Sequence, residues 1–312
     1  MFSKSFRKVL KTILTGTVVT MATVALTVST SAAKKAKYKE IDVKNGGTIK
    51  GVAKWKGDIP TLPKVTVFKH MDKCGQEVYN PALQVDNGSK GVKFVVVYLK
   101  GKIMEGAALP KKKMKLKRDT VYPIGGSSQV LHAGRDADQR PDSQLCNFEE
   151  HIWPVVRTRP VAMYNLEDLL HNPHAFTAEG STLFNFPLPD QNRLVKKKVK
   201  RVKDLARYQC DTHIHMNGWM FGFDHPYFAV TDAKGAYEIK QVPPGKYTLV
   251  GWHEGYNIDH FAADSRPVYD EPHIIEKEIE VTAGGTVEVN WEFPVRDVKV
   301  SQEKAKRTVA GM

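Results

Sequence analysis

Short segments rich in β-branched and aromatic residues, punctuated by glycine and proline, are the feature that most constrains the fold of this chain. The pattern is sharpest after residue 220, where strands are predicted at 227–231, 236–239 and 247–252, with turns at 232–235 and 242–245. Glycine and proline at these turns supply the backbone dihedrals that tight reversals need. Helical periodicity is scarce, so the sequence predicts an all-β protein.

Further strands are predicted on both sides of this region. Residues 47–55 form one candidate strand, and residues 92–99 form an apolar, β-branched one suited to a buried position. Two alternating strands follow at 276–281 and 286–293. Residues 100–145 are the stretch in which strands are hardest to predict.

Composition excludes several classes of protein. The chain has 312 residues, of which 41% are hydrophobic and 26% are charged, and this profile argues against a multi-span membrane protein and a disordered chain. Its three cysteines are too few for a disulfide-dense miniprotein or a cysteine-ligated iron–sulfur cluster, and there is no motif for covalent haem. Any metal must therefore rely mostly on the eleven histidines.

The N-terminus has the pattern of an export signal. Residues 1–33 combine a basic start, an apolar run and small residues that end at Ala33. We expect a signal peptide cleaved after Ala33 and a periplasmic or extracellular mature chain with no transmembrane segment. An uncleaved membrane anchor is the alternative, although the run falls short of the roughly 20 apolar residues of a spanning helix.

The formal net charge of +13 is concentrated in two basic runs, at 111–118 and 196–201. Export makes nucleic acid an unsuitable partner, whereas acidic protein surfaces and anionic envelope components fit this charge. We interpret the runs as solvated faces rather than as a specific docking patch.

Two segments carry residues suited to metal binding. The first is the run from His171 to His174, and the second is the run from Cys210 to Met216. A thiolate, two imidazoles and a thioether form the ligand set of a mononuclear blue copper site. Cys210, His213 and Met216 recur every three residues, as a tight loop leaving a strand requires in order to turn all three inward.

These segments resemble the cupredoxins, in particular the amicyanin type, with its H-N-x-H and C-x-x-H-x-x-M motifs. The resemblance implies one type 1 copper ion held by His171, Cys210, His213 and Met216. It also implies that Asn172 ties the two ligand-bearing loops together and that His174 is not a ligand.

The sequence departs from the family at one position. Where the family has tryptophan before the axial methionine, this chain has His215, and Met220 follows shortly after. The axial ligand is therefore open between Met216, Met220 and His215. We favour Met216 because it alone keeps the three-residue spacing.

A second resemblance covers residues 226–252, which match the carboxypeptidase regulatory-like, or prealbumin-like, β-sandwich family through V-T-D-x-x-G-x-Y-x-I-x-x-V-P-P-G-x-Y-x-L. Secreted bacterial methylamine-utilisation or cupredoxin-like proteins join such a module to a copper site. The resemblance implies a cupredoxin-like Greek-key sandwich fused to a prealbumin-like sandwich. The expected organisation is a signal peptide at 1–33, an N-terminal β segment at 34–91, the cupredoxin-like domain at 92–222, the prealbumin-like domain at 223–296 and a charged tail at 297–312.

Cys74 and Cys146 are left once Cys210 is assigned to the metal. In an oxidising compartment a disulfide between them is the expected state, and two buried thiols are the alternative. The sequence alone does not decide the pairing.

The sequence thus predicts an exported, non-enzymatic electron carrier that exchanges one electron with a redox protein such as a c-type cytochrome. The alternative is a non-catalytic envelope binding or structural module with a vestigial or structural metal site, in which zinc is less expected than copper. A third reading, a metal-dependent hydrolase, uses the D-x-H-x-H run at Asp211, His213 and His215. That motif belongs to (β/α)₈ barrels, and too little chain follows it for such a barrel.

Overall fold

A computed structural model describes residues 37–134, 145–157, 159–199, 202 and 205–295. Within these ranges nearly all regular structure is β, which confirms the predicted fold class. The elements, in chain order, are β1 (Lys39–Glu40), β2 (Gly47–Trp55), β3 (Val65–Thr66), α1 (Met71–Cys74), β4 (Glu77–Val78), β5 (Val96–Leu99), β6 (Glu105–Gly106), β7 (Val130–Ala133), β8 (Ile152–Val156), β9 (Pro160–Asn165), β10 (Pro173–Thr177), β11 (Thr182–Asn185), β12 (Leu194–Lys198), β13 (Leu205–Cys210), β14 (Asn217–Phe223), β15 (Phe228–Val230), β16 (Ala236–Val242), β17 (Gly245–His253), β18 (Ile258–Phe261), β19 (Pro267–Tyr269), β20 (His273–Val281), β21 (Thr286–Glu288) and β22 (Trp291–Phe293).

One sandwich is built from a five-stranded sheet, in the order β11-β10-β13-β14-β8, and a three-stranded sheet, in the order β12-β9-β7. Strands of both sheets contribute to one buried hydrophobic cluster, with Trp153 and Tyr208 from the larger sheet and Leu131 and Met163 from the smaller. Burial of these side chains at roughly 25 cal/mol per Å² is the main stabilisation of such a two-layer unit. Cys210 belongs to the same cluster.

A second sandwich pairs the sheet β15-β5-β17-β20 with the sheet β16-β2-β21, to which β22 adds along β2. Its core contains Ile49 and Trp291 on one side and Val97 and Leu249 on the other. Residues 47–55 therefore form a strand between β16 and β21, as the sequence predicted.

The strand β5 corrects the predicted boundary at residue 92. Residues 92–222 were expected to form the cupredoxin-like domain, yet Val96–Leu99 pairs with β15 and β17 in the second sandwich. Val96, Val97 and Leu99 are all buried, as expected for a central strand. An apolar run predicts such a strand but does not show to which sheet the strand belongs.

Aromatic side chains join the two sandwiches. Phe221 and Phe223 of β14 share a buried cluster with Phe228 of β15 and Trp252 of β17. Beside them, the Glu254 carboxylate contacts His151 and accepts a hydrogen bond of 2.7 Å from Trp219 Nε1. The sheet that carries the metal-binding motif is thus packed directly on the second sandwich.

Two predictions fall on chain segments that the structure does not describe. The signal peptide at 1–33 and the charged tail at 297–312 lie outside the described ranges. Among the described residues, no helix has the length and apolar character to cross a membrane.

Acid should destabilise the fold through His225. This buried ring accepts a hydrogen bond from Tyr227 N–H and lies 3.1 Å from the Leu99 carbonyl oxygen, and burial lowers its pKa to about 4. An unfolded histidine titrates near 6.5, so between pH 6.5 and 4 the unfolded chain binds a proton that the folded chain does not.

We expect the free energy of unfolding to be largest above pH 6.5 and to fall toward pH 4, with about 3 kcal/mol of that loss due to His225. Urea unfolding at a series of pH values measures this. His225→Gln should flatten the slope, while His260→Gln, at an exposed ring, should not. An unchanged slope in His225→Gln would contradict the assignment.

Candidate metal centre

The pairing of β10 with β13 brings the two motif segments together. In the antiparallel register Pro173 is opposite Cys210, so the residues just before β10 lie beside the residues just after β13. The chain then reverses through residues 211–216 into β14, which pairs with β13. Backbone hydrogen bonds thereby hold two segments that are far apart in the sequence side by side at one end of the sandwich.

Three of the predicted ligands converge there. Cys210 Sγ lies 4.0 Å from His171 Nδ1 and 3.8 Å from His213 Nδ1. The candidate donor atoms of these three residues all lie within 4.8 Å of one another, and all three side chains are buried. The structure therefore brings His171, Cys210 and His213 into one cluster.

Backbone N–H groups surround the sulfur. Asn172 N–H donates to Cys210 Sγ over 3.3 Å and His213 N–H donates over 3.4 Å. Burial alone would raise the pKa of the Cys210 thiol, but His171 and these two N–H groups outweigh it and hold the pKa below its ordinary value. The site favours the thiolate, the form that binds metals.

His171 is oriented by a buried carboxylate. Its Nε2–H donates to Glu167 Oε2 over 2.8 Å, which leaves Nδ1 as the nitrogen that faces the sulfur. Burial opposes protonation of His171, but Cys210 and Glu167 outweigh it and raise its pKa to about 9, so a metal ion that binds Nδ1 must first displace a proton from it. Glu167 Oε1 also accepts a hydrogen bond from Cys146 N–H.

Close packing around Glu167 requires a glycine. Gly134 has φ +84°, and a Cβ at this position would lie 2.5 Å from Glu167 Cδ. Glycine at position 134 therefore allows the left-handed backbone conformation and also leaves space for the Glu167 carboxylate.

His213 is oriented in the same manner by a second imidazole. Its Nε2 lies 2.9 Å from His70 Nδ1, so its Nδ1 is the nitrogen that faces Cys210. Burial, together with the nearby charges of His171 and His215, lowers the pKa of His213 to about 3. The ring is therefore held neutral, as a metal ligand must be.

These donors fit a metal ion. Bonds of about 2.3 Å to sulfur and about 2.0 Å to nitrogen, at roughly 120°, place the two donor atoms about 3.7 Å apart. The observed separations of 3.8 and 4.0 Å are close to that value. One thiolate with two imidazoles suits copper in both oxidation states, and zinc shares part of this preference.

The fourth predicted ligand, Met216, is fully buried in the hydrophobic cluster that contains Cys210. Its backbone closes the loop, because Cys210 N–H donates to Met216 O and Met216 N–H donates to His213 O. Its role as axial ligand stays a prediction.

The two alternative axial residues are also buried. Met220 lies on β14 opposite Ala206, within the same cluster as Met216. His215 Nε2–H donates to the Cys146 carbonyl over 2.8 Å, and its Nδ1 has no hydrogen-bond partner among the described residues. His215 is not part of the three-residue donor group.

Asn172 and His174 support the loop from outside the donor group. Asn172 joins the two segments through its backbone, since its carbonyl also accepts a hydrogen bond from Asp211 N–H. Its side-chain Oδ1 is buried with no hydrogen-bond partner among the described residues, so this oxygen does not join the two segments. His174 Nδ1 lies 2.8 Å from Asp211 Oδ2 and thereby supports the residue after Cys210.

A buried arginine holds the loop from the other side. Arg266 donates to the carbonyls of Ile214 and Cys210, over 2.9 and 3.0 Å. Asp264 pairs with its Nε and fixes the guanidinium. The ligand loop is therefore tied to the segment between β18 and β19.

Cys74 and Cys146 form a disulfide, as expected from the sequence. The two sulfurs and a ring nitrogen of His213 lie within 4.8 Å of one another, so the disulfide packs against a candidate ligand. Because the two sulfurs are joined in a disulfide they are not thiolates, and neither is a candidate metal ligand.

Sequence reasoning missed Glu167, His70 and Arg266. Glu167 precedes His171 by four residues, and that spacing is the one local sign of their contact. His70 and Arg266 lie 143 and 56 residues from their partners His213 and Cys210, so only the tertiary fold reveals them.

A protein-family match covers much of the second sandwich. The model for polysaccharide lyase family 4, domain II, matches residues 223–289. The carboxypeptidase regulatory-like resemblance of this region, and its fusion to a copper domain, stay predictions. No curated protein matches the chain.

The similar solved structures are cupredoxins. A purple cupredoxin from Nitrosopumilus maritimus is 14% identical, with 30% of this chain and 98% of that chain covered and a TM-score of 0.25. A reduced Cu(I) form of an amicyanin variant is 15% identical, with 31% and 82% covered and a TM-score of 0.25. A second reduced amicyanin variant is 14% identical, with 32% and 87% covered and a TM-score of 0.25.

Glu167→Gln tests the orientation of His171. The variant keeps the shape of the side chain but removes the charge that the ring N–H contacts, and loss of such a contact weakens metal binding about 10-fold or more. A competition titration of copper against a chelator measures this. Glu276→Gln, at an exposed ion pair with Lys100, is the matched control, and equal affinities for both variants would contradict the role of Glu167.

Removal of the disulfide should destabilise the protein. It closes a loop between residues 72 positions apart, and Cys74→Ala with Cys146→Ala should lower the free energy of unfolding by about 2–5 kcal/mol. Urea unfolding of the oxidised protein and the double variant measures the difference. A variant as stable as the parent would show that the disulfide does not constrain the chain.

Proposed function

We propose that this protein is an exported, non-enzymatic electron carrier with one mononuclear type 1 copper ion. The observation that supports it most is the convergence of Cys210 Sγ with the Nδ1 atoms of His171 and His213. His171, Cys210 and His213 would hold the ion, with Met216 as the proposed axial ligand. Bound copper would supply a one-electron couple between Cu(I) and Cu(II).

The protein's own contribution is a preformed donor set. Glu167 and His70 orient the two imidazoles, Asn172 and His213 N–H groups hold the sulfur, and Arg266 fixes the loop carbonyls. Each ligand is held by at least one hydrogen-bonding partner, so a change of charge at the site requires little movement. Such rigidity favours electron transfer over chemistry that needs an open coordination position.

The proposed setting is the periplasm or the exterior of the cell, consistent with the export pattern at 1–33 and with the disulfide. The proposed partner is a redox protein such as a c-type cytochrome.

Titration of the purified, metal-free protein with Cu(II) tests the proposal. A thiolate-bound cupric ion should produce intense visible absorption that saturates at one ion per chain and disappears on reduction. Cys210→Ser should remove this absorption, and the urea unfolding midpoint of the metal-free variant shows whether the fold is kept. A colourless protein that binds zinc and not copper would instead favour a structural metal site in a binding module.

A further inference from the structure

The outer nitrogen of His213 is covered by another histidine. His213 is 1% exposed, and its Nε2 lies 2.9 Å from Nδ1 of His70, with the ring centroids 5.1 Å apart. When Nδ1 of His213 binds a metal, its proton resides on Nε2, so His213 donates and His70 accepts. The ring of His70 therefore lies directly outside a candidate ligand.

The backbone holds His70 in an uncommon conformation. It precedes α1 with φ 56° and ψ 41°, the left-handed region that few residues other than glycine adopt. Cys74, at the end of α1, is joined by the disulfide to Cys146, and Lys73 Nζ lies 3.4 Å from the Asp168 carbonyl oxygen. Such conformations persist where the surroundings impose them and are concentrated at functional sites.

His70 reaches solvent where His213 does not. Its side chain is partly exposed, and its Nε2 has no hydrogen-bond partner among the described residues. Phe68 and Met71 on either side of it are 46% and 53% exposed. A single hydrogen-bond step of 2.9 Å therefore leads from the buried ring of His213 to the partly exposed ring of His70.

We infer that His70 is the route by which the electron crosses between the buried centre and its partner. This inference rests on the proposed copper site. One electron passes from the reduced centre to a one-electron acceptor, no bond forms or breaks, and the Nε2 proton stays between the two imidazoles. A purely structural alternative is that His70 only braces the His213 ring.

His70→Asn separates these two roles. Asparagine tolerates the left-handed conformation, and its Oδ1 can accept the hydrogen bond from His213, so a bracing function is kept. The aromatic ring that extends to solvent is lost. His260→Asn is the matched control, because His260 is an exposed imidazole that contacts the exposed carboxylate of Asp259.

The experiment measures electron exchange between the Cu(I) and Cu(II) forms of each protein by NMR line broadening, and the rate of oxidation by hexacyanoferrate(III). The absorption spectrum and reduction potential are recorded in parallel. We expect His70→Asn to keep the spectrum and the potential of the parent but to exchange electrons more slowly, by a factor on the order of 10, because the aromatic ring between His213 and solvent is replaced by a shorter side chain and donor and acceptor are held less closely. His260→Asn should exchange at the parent rate.

Parent-like exchange in His70→Asn would overturn the inference, and so would a changed spectrum or potential, which would identify His70 as a brace. Failure of the copper site itself is distinguished from both, because the parent protein would then show no thiolate-to-copper absorption. In the zinc-loaded protein, an NMR signal from the His213 Nε2 proton, slow to exchange in the parent and in His70→Asn, verifies that the variant keeps the hydrogen bond.

Discussion

The buried sulfur of Cys210 is the constraint on which the rest of the site depends. A thiolate withdrawn from water is unfavourable unless donors and cations surround it. Here two backbone N–H groups point at the sulfur, and the Nδ1 atoms of two imidazoles face it from 4.0 and 3.8 Å. The sheet pairing of β10 with β13 delivers both the sulfur and His171 to the same place.

Each surrounding contact then fixes the orientation of one donor side chain or the position of the loop that carries it. Glu167 fixes the His171 ring, His70 covers the His213 ring, and Arg266 anchors the loop between them. Elements outside the first sandwich also contribute. Arg266 lies between β18 and β19, which pair with each other in a separate two-stranded sheet, and the Trp219–Glu254 contact joins β14 to the residue that follows β17. The site is therefore supported from beyond the sandwich that carries the donors.

The sequence predicts local features well and long-range ones poorly. Alternation and turn residues predicted β2, β15, β16 and β17, and three-residue spacing placed Cys210 and His213 on one loop. His70 and Arg266 are far in the sequence from the donors that they contact. A repeating pattern of residues does not identify a charged side chain, such as Glu167 or Arg266, that becomes buried only when the sheets pack. The run at 92–99 was assigned to the wrong sandwich for a related reason, since a strand buried on both faces reads the same in either sheet.

Copper K-edge X-ray absorption of the loaded protein tests the central claim most directly, because it reports the atoms bound to the metal without reference to colour or activity. The account predicts one sulfur and two imidazole nitrogens at short distance, with the sulfur contribution lost when Cys210 is replaced by serine. A first shell of nitrogen and oxygen alone in the parent protein would contradict it.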